Sequence, residues 1–299
     1  MDRFASMQTF VCVVETGSFS AAARRLNVKQ PAISKSVAQL EERLGVRLLS
    51  RSTRGLLPTE AGQQFYERAK RSIEEADEAD VAARGEGRGL AGRLRVSAAV
   101  TFARLHILPN LAIFLGQHPD LSIDIALDDR NIDLVENGID VALRMGRLAD
   151  STMTARRLSQ AKRIVVGTPG YFQFHNEPQS PAELGAHETI IYNNGPESEE
   201  WTFRRADVAV PVKVSGRVRI SAAEGVRAIV LSGMGLTIAS EWMFSDKLAS
   251  GEVRQILKDW DLPTIDLWAL YPTGRMISSK AKAFADFVEA IMREPSQAL

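Results

Sequence analysis

Between Gly17 and Gly45 the sequence leaves room for two helices and one tight turn, and little else. Ser18 can cap a helix through SAAARRL, and Asn27 tolerates the left-handed backbone that a short turn needs. A further helix then runs from about Gln30 to Leu44, with Pro31 suited to its first turn and Gly45 to its stop. Ahead of this pair Phe4, Met7, Phe10, Val11 and Val14 recur at helical spacing, so a first amphipathic helix ends near Glu15. Ala23 is small where two helices must meet, and Ile33 is apolar where the later one docks back. Ile33, Val37, Leu40 and Leu44 form one stripe on that later helix, facing inward.

Gln30, Pro31, Ser34, Lys35 and Ala38 fall outside that stripe and cluster near the helix start. A recognition helix enters the DNA major groove by that end. Gln can pair with two adenine edge atoms, Lys35 reaches guanine or phosphate, and Ser34 bonds to either base or backbone. Lys29 stands where a helix usually has Ser, Thr, Asp or Asn. It cannot accept a hydrogen bond, and its charge opposes the positive end of the helix. Either it meets a phosphate or it points into water at a poorly capped start. VRLLSRSTRGLLPTEAG then alternates apolar and polar residues, as a two-stranded wing with Arg51, Ser52, Thr53 and Arg54 near its tip. Two tip arginines suit a phosphate or minor-groove contact, or serve solubility alone.

The formal net charge of zero hides an asymmetry. Residues 1–60 carry nine Lys/Arg against five Asp/Glu, whereas residues 96–299 carry 21 against 25. A basic head on an acidic body fits nucleic-acid binding by the head.

Thr59 can cap a third long segment, in which Phe65, Ala69, Ser72, Ala76, Ala79 and Ala83 recur as a heptad seam of mostly small side chains. The seam predicts dimerisation; the alternative is a helix packed on its own C-terminal domain. GRGLAG at residues 87–92 fits G-x-G-x-x-G, but it follows a helix and precedes a strand, so it is no dinucleotide loop. Gly85, Gly87, Gly89 and Gly92 read as a hinge.

From Arg93 apolar strands alternate with helices. LRVSA, SIDIAL and DVALRM read as strands, with helices near 102–116 and 131–137 between them. RIVVGT, TIIYN, VPVKV, RVRIS and LTIAS read as strands of a second block. Helices near Pro169 and Pro181 and through AAEGVRAIVLSG complete it. IDLWALYP adds a strand and SSKAKAFADFVEAIM a closing helix. Such alternation predicts parallel sheets covered on both faces, in two lobes with a cleft between them. The cleft lies beyond the strand ends, near helix starts. This places Ala99, Thr101, Phe102, Asp128, Asp129, Arg144, Met145, Asn193, Asn194 and Ser221 at its edge. Helix starts at Thr101 and Ser221, with Arg144, would favour a small anionic or polar effector. The competing readings are plain helix caps, a salt bridge from Arg144 to Asp128 or Asp129, and solvated loop aspartates.

GSFSAAARRLNVKQPAISKSVAQLEERLGVRLLSRSTRGLLPTEAG resembles the N-terminal domain of LysR-type transcriptional regulators. That family usually has Ser or Thr where Lys29 stands. DVALRMG and AAEGVRAIVLSGMGL carry the resemblance into the C-terminal region. The resemblance implies an α/β protein of three parts. These are a winged helix-turn-helix DNA-binding domain (1–59), a dimerisation linker helix and hinge (60–92), and a bilobed periplasmic-binding-protein-like effector domain (93–299). It also implies dimers and tetramers on AT-rich inverted repeats of double-stranded DNA. A small-molecule effector would control activity, and RNA polymerase would be a further partner.

The bilobed layout alone would also suit a solute-binding protein or an α/β enzyme. The N-terminus is no signal peptide and no apolar run reaches membrane-span length, so a cytoplasmic protein is expected. No HExxH, Walker A or GxSxG occurs, so neither catalysis nor a cofactor is expected. Cys12, the single cysteine, is expected to be a packing thiol; Trp201 and Phe203 are expected in the core or the cleft wall.

Overall fold

The computed structural model describes residues 2–52, 55–83, 90–130, 133–148, 153–193, 199–272 and 276–293. They fall into two compact units, residues 1–93 and 94–299.

In the first unit α1 (Arg3–Thr16), α2 (Phe19–Arg25) and α3 (Gln30–Leu44) surround one apolar centre. Cys12, Val13, Ala22, Ala23, Ile33 and Val37 pack together there. The turn between α2 and α3 is made by Asn27 at φ 53°, so a residue that tolerates the left-handed region stands where one is needed. Leu44 departs from the expected inward stripe and is 38% exposed, because the helix ends there at Gly45. The wing is the antiparallel pair β1 (Leu49–Ser52) and β2 (Gly55–Pro58).

α4 (Glu60–Ala83) is 24 residues long, about 36 Å. Thr59 caps it, its hydroxyl accepting from Gly62 N–H at 3.0 Å. Gly62 is required at this point: a Cβ there would lie 1.9 Å from the Leu48 carbonyl oxygen. The first half of α4 is part of the head rather than a separate linker. Ala69 is buried against Met7 and Val11, and the Phe65 ring meets Phe10 edge-on at 5.4 Å. The expected seam is therefore corrected at Ala69, whose side chain is buried within one chain, while Phe65 is partly buried against the head. Ser72 and Ala79 are exposed and Ala76 half-buried; the Ala83 side chain lies outside the described residues. So do Gly85, Gly87 and Gly89, while Gly92 belongs to a strand rather than to a hinge.

The second unit has two lobes. Lobe I is a five-stranded sheet in the order β4 (Leu121–Leu127), β3 (Gly92–Ala98), β5 (Val141–Met145), β14 (Ile265–Tyr271), β6 (Thr154–Ala161). β3 and β5 are parallel, but β14 runs antiparallel to both β5 and β6, so the expected all-parallel sheet is mixed. The chain leaves this lobe after β6 and returns on β14, and these two strands pair. β6 has no apolar run; its place is held by pairing and by Arg156, which bridges to Asp286 and Glu289 of α10 (Ser279–Arg293).

Helical backbone follows β3 from Val100 to Gln117 in an uneven path. α5 (Val100–Phe102) passes into a π turn (Ala103–Ile107) and a 3-10 turn (Leu108–Asn110), then α6 (Leu111–Gln117). Pro109 lacks the N–H and clashes with the preceding turn, which accounts for the break. The helix expected near 131–137 is only a turn over its described residues, with Asp133 Oδ1 accepting from Val135 and Glu136 N–H.

Lobe II sets β7 (Arg163–Gly167) antiparallel between β12 (Thr237–Ser240) and β13 (Arg254–Ile256). β8 (Ile190–Tyr192) and β11 (Val218–Ile220) are parallel, and a bridge from Thr189 to Leu236 joins them to β12. α7 (Pro169–Phe174), α8 (Ala223–Leu231) and α9 (Ser245–Ser250) complete it. The antiparallel hairpin β9 (Glu200–Arg205) and β10 (Val208–Lys213) puts Trp201 and Phe203 into the lobe core.

Candidate functional site

The head presents the exposed side of α3. Lys29, Gln30, Pro31, Lys35 and Ala38 are exposed and Ser34 is half-buried, while Ile33, Val37 and Leu40 on the opposite side are buried. Lys29 occupies the N-cap position without a side-chain capping bond, and no acid lies in the first turn. The helix start thus keeps its positive end bare beside two lysines, an arrangement suited to an anion. The Arg51 side chain, Thr53 and Arg54 lie outside the described residues.

The wing is set on α3 by a residue that sequence reasoning missed. Glu41 is buried, and its Oε1 accepts from Leu48 N–H at 2.7 Å and Leu49 N–H at 3.0 Å. Arg47 donates to the other oxygen at 3.2 Å. An acid on the inner side of a helix is costly unless bonded; here it holds the first strand of the wing to the recognition helix.

In the second unit several residues at the strand ends are held by hydrogen bonds, in roles other than those expected. Thr101 and Ser221 do not cap helices: the N-cap positions are Ala99 and Ala222, neither with a side-chain cap. The Asp129 carboxylate takes both helix starts instead. Its Oδ1 accepts from Val100 N–H at 3.0 Å, and its Oδ2 from Ala223 N–H at 3.3 Å. Asp129 is in lobe I and Ala223 in lobe II, so it is no solvated loop residue. Thr101 is buried and donates its hydroxyl to Glu224 Oε2 at 3.0 Å.

Arg144 makes no salt bridge to Asp128 or Asp129. It donates to Ser97 Oγ at 3.0 Å and to the Leu143 carbonyl at 3.2 Å. Burial lowers its pKa, and the two aspartates oppose that shift. Asp128 accepts from Arg130 N–H at 2.8 Å, which holds its carboxyl below the usual range, with the Arg130 and Arg144 charges adding to the effect. Met145 is half-buried, Asn193 and Ser221 are exposed, and Phe102 is buried against Trp242. Asn194 lies outside the described residues. Arg144 is thus a half-buried guanidinium without a carboxylate ion-pair partner among the described residues.

Residues 4–63 match the family of bacterial regulatory helix-turn-helix proteins, lysR family, and residues 87–293 match the LysR substrate binding domain. The chain belongs to the LysR family of transcriptional regulators. An HTH-type transcriptional regulator of Haemophilus influenzae is 31% identical over 280 residues, spanning 94% of this chain and 97% of that one. The solved structure of CrgA, a LysR-type transcriptional regulator from Neisseria meningitidis, is similar with a TM-score of 0.64 and 31% identity over 97% of this chain and 99% of that one. The virulence activator AphB of Vibrio cholerae is similar with a TM-score of 0.58 and 28% identity, over 96% and 99%.

This LysR-type regulator therefore has a DNA-binding head and an effector-binding domain of two lobes. What its sequence concealed was the use of three acids, Glu41, Asp129 and Glu224, as internal struts. Asp129 and Glu224 bond to groups distant along the chain and Glu41 to the segment entering the wing, and no local pattern marks such a role.

Proposed function

We propose that the regulator binds double-stranded DNA as a homodimer, pairing further into tetramers, with α3 in the major groove and the wing on the flanking backbone. The exposed α3 face, with its uncapped cationic start, carries this reading. Gln30, Ser34 and Lys35 read base edges, Pro31 packs at the groove, and Lys29, Arg51, Thr53 and Arg54 hold phosphates. Ser72, Ala76, Ala79 and Ala83 join two copies of α4.

The cleft takes a small polar effector whose anionic group pairs with Arg144, flanked by Ala99, Phe102, Met145, Asn193 and Ser221. The regulator needs no cofactor, catalyses no reaction, and acts in the cytoplasm, where it meets RNA polymerase at promoters. Among the described residues no helix is long and apolar enough to cross a membrane.

Gel-shift titration on duplex DNA from upstream of its own gene tests the reading, with a salt series to count phosphate contacts. Binding that weakens as salt rises, and is lost in Lys35→Ala, supports it. No shift on any duplex at low ionic strength overturns it. A thermal-shift screen of carboxylic and amino acids then identifies the effector class.

A further inference from the structure

The two lobes exchange carboxylates. Asp129 of lobe I reaches the start of α8 in lobe II, accepting from Ala223 N–H while also holding Val100 N–H of its own lobe. Glu224, in the first turn of α8, reaches back to lobe I. It accepts from the Thr101 hydroxyl at 3.0 Å and from Arg104 Nη2 at 2.9 and 3.0 Å. A third bond crosses nearby: His106 Nε2–H donates to the Trp242 carbonyl at 2.9 Å. All three sit on the irregular helical path that follows β3 and on the elements facing it.

We propose that Asp129 and Glu224 form a reciprocal clasp that sets the angle between the lobes when no effector is bound, making them positioning residues for the effector response. The proposal rests on reading the cleft as the effector site and names how that site is regulated. The physical ground is directional. Each carboxylate accepts two donors, and for each at least one donor belongs to the other lobe. Moving the lobes apart breaks the part-buried bonds to Asp129 and from the Thr101 hydroxyl to Glu224, which water replaces only in part, while the half-exposed Arg104–Glu224 pair adds direction more than energy. The clasp also engages the N–H groups at both helix starts, so those groups are free to meet anything else only after Asp129 leaves. An effector that turns the lobes therefore works against a defined set of bonds rather than against a soft hinge.

The test uses the full-length protein with neither DNA nor effector, so failure of DNA binding and failure of the clasp are read separately. Nitroxide labels are placed on exposed Ala112 of lobe I and Ala228 of lobe II, in a Cys12→Ala background, after substitution of each position by cysteine. Labelled protein is diluted into a large excess of unlabelled protein, so that only distances within one chain are measured by pulsed electron resonance. Asp129→Asn offers one acceptor where two N–H groups point, and Arg104→Gln removes the charged partner of Glu224 at an exposed ion pair that the fold tolerates. Each is expected to broaden the lobe-to-lobe distance distribution. The double variant is expected to broaden it less than the sum of the two, because the bonds act together. Asp129→Glu is expected to recover part of the narrow distribution. Asp129→Asn is also expected to raise hydrogen exchange at Val100 and Ala223 while the molecule keeps one cooperative melt. Distance distributions in Asp129→Asn and Arg104→Gln that coincide with the parent protein would overturn the clasp. Should Asp129→Asn fail to fold, Arg104→Gln alone decides.

Discussion

Glu41 Oε1 accepts from the backbone N–H of Leu48 across seven residues, tying the buried side of the recognition helix to the first strand of the wing. With Leu49 N–H and Arg47 on the same carboxylate, one side chain fixes the angle between two DNA-facing elements. Glu41→Ala leaves two N–H groups without their acceptor, one of them buried. The expected loss is about 2–3 kcal/mol in urea unfolding of the regulator. DNA affinity should fall by more than unfolding alone explains, since the wing loses its seat. Glu41→Gln, which keeps one acceptor, should lose less on both counts.

Lys29→Ser separates the two uses of a helix start. The new hydroxyl can cap α3, so the free protein should gain about 0.5–2 kcal/mol in thermal or urea unfolding. Operator binding should weaken, with the salt slope lower by about one unit, because one phosphate contact is gone. An unchanged slope would return Lys29 to solvent.

The joint between α1 and α4 should be acid-labile. Burial pushes the Glu15 carboxyl up, but Lys70 at 2.9 Å, Arg25 at 3.0 Å and the Tyr66 hydroxyl together hold it below the ordinary carboxylate range. A lowered folded pKa means stability that is fully present above the unfolded value of about 4.3 and is lost as pH falls through the folded value. Melting temperature measured from pH 7 downward should fall less steeply below that value in Glu15→Gln than in the parent chain.

Two alanines on α4 should behave differently. Ala69 is 1% exposed in the head, so Ala69→Glu should unfold the head itself. Ala76→Glu, on the half-buried part of the proposed seam, should leave the head folded and shift the mass in solution toward monomer. Light scattering and circular dichroism of the two variants distinguish these outcomes.

Arg144→Ala should abolish measurable calorimetric binding of the effector found by screening, with gel shifts on DNA unchanged without effector. Undiminished affinity would remove Arg144 from the site.

Periodicity made α3 legible, because Ile33, Val37 and Leu40 form its buried stripe, and the left-handed Gly17 and Gly45 mark where α1 and α3 stop; α1 instead buries the consecutive run Phe10 to Val13, and α2 ends at Leu26 without such a signal. Strands such as β3, β5 and β7 were legible as short apolar runs. β6 was not: its residues are mostly polar and arginine-rich, and it is a strand because β14 pairs with it and α10 covers Arg156. The antiparallel course of β14 was equally hidden, since direction depends on where the chain re-enters lobe I. Strand ends alone pointed to Thr101, Asp129 and Arg144, but not to the partners these side chains take. Asp128 and Asp129 are adjacent in sequence, yet one bonds to Arg130 beside it and the other to Ala223, 94 residues on.

By itself the sequence determined the family, the basic recognition helix with its lysine entry, and a body of two α/β lobes. These are written in residue type and short-range spacing, which act through local backbone preference and burial. Only the tertiary structure decided that Ala69 belongs to the head, that Glu41 seats the wing, and that Asp129 fills the helix starts meant to look empty. Such roles depend on which groups meet once the helices and strands have packed, and a carboxylate carries no local mark of the donor it will find.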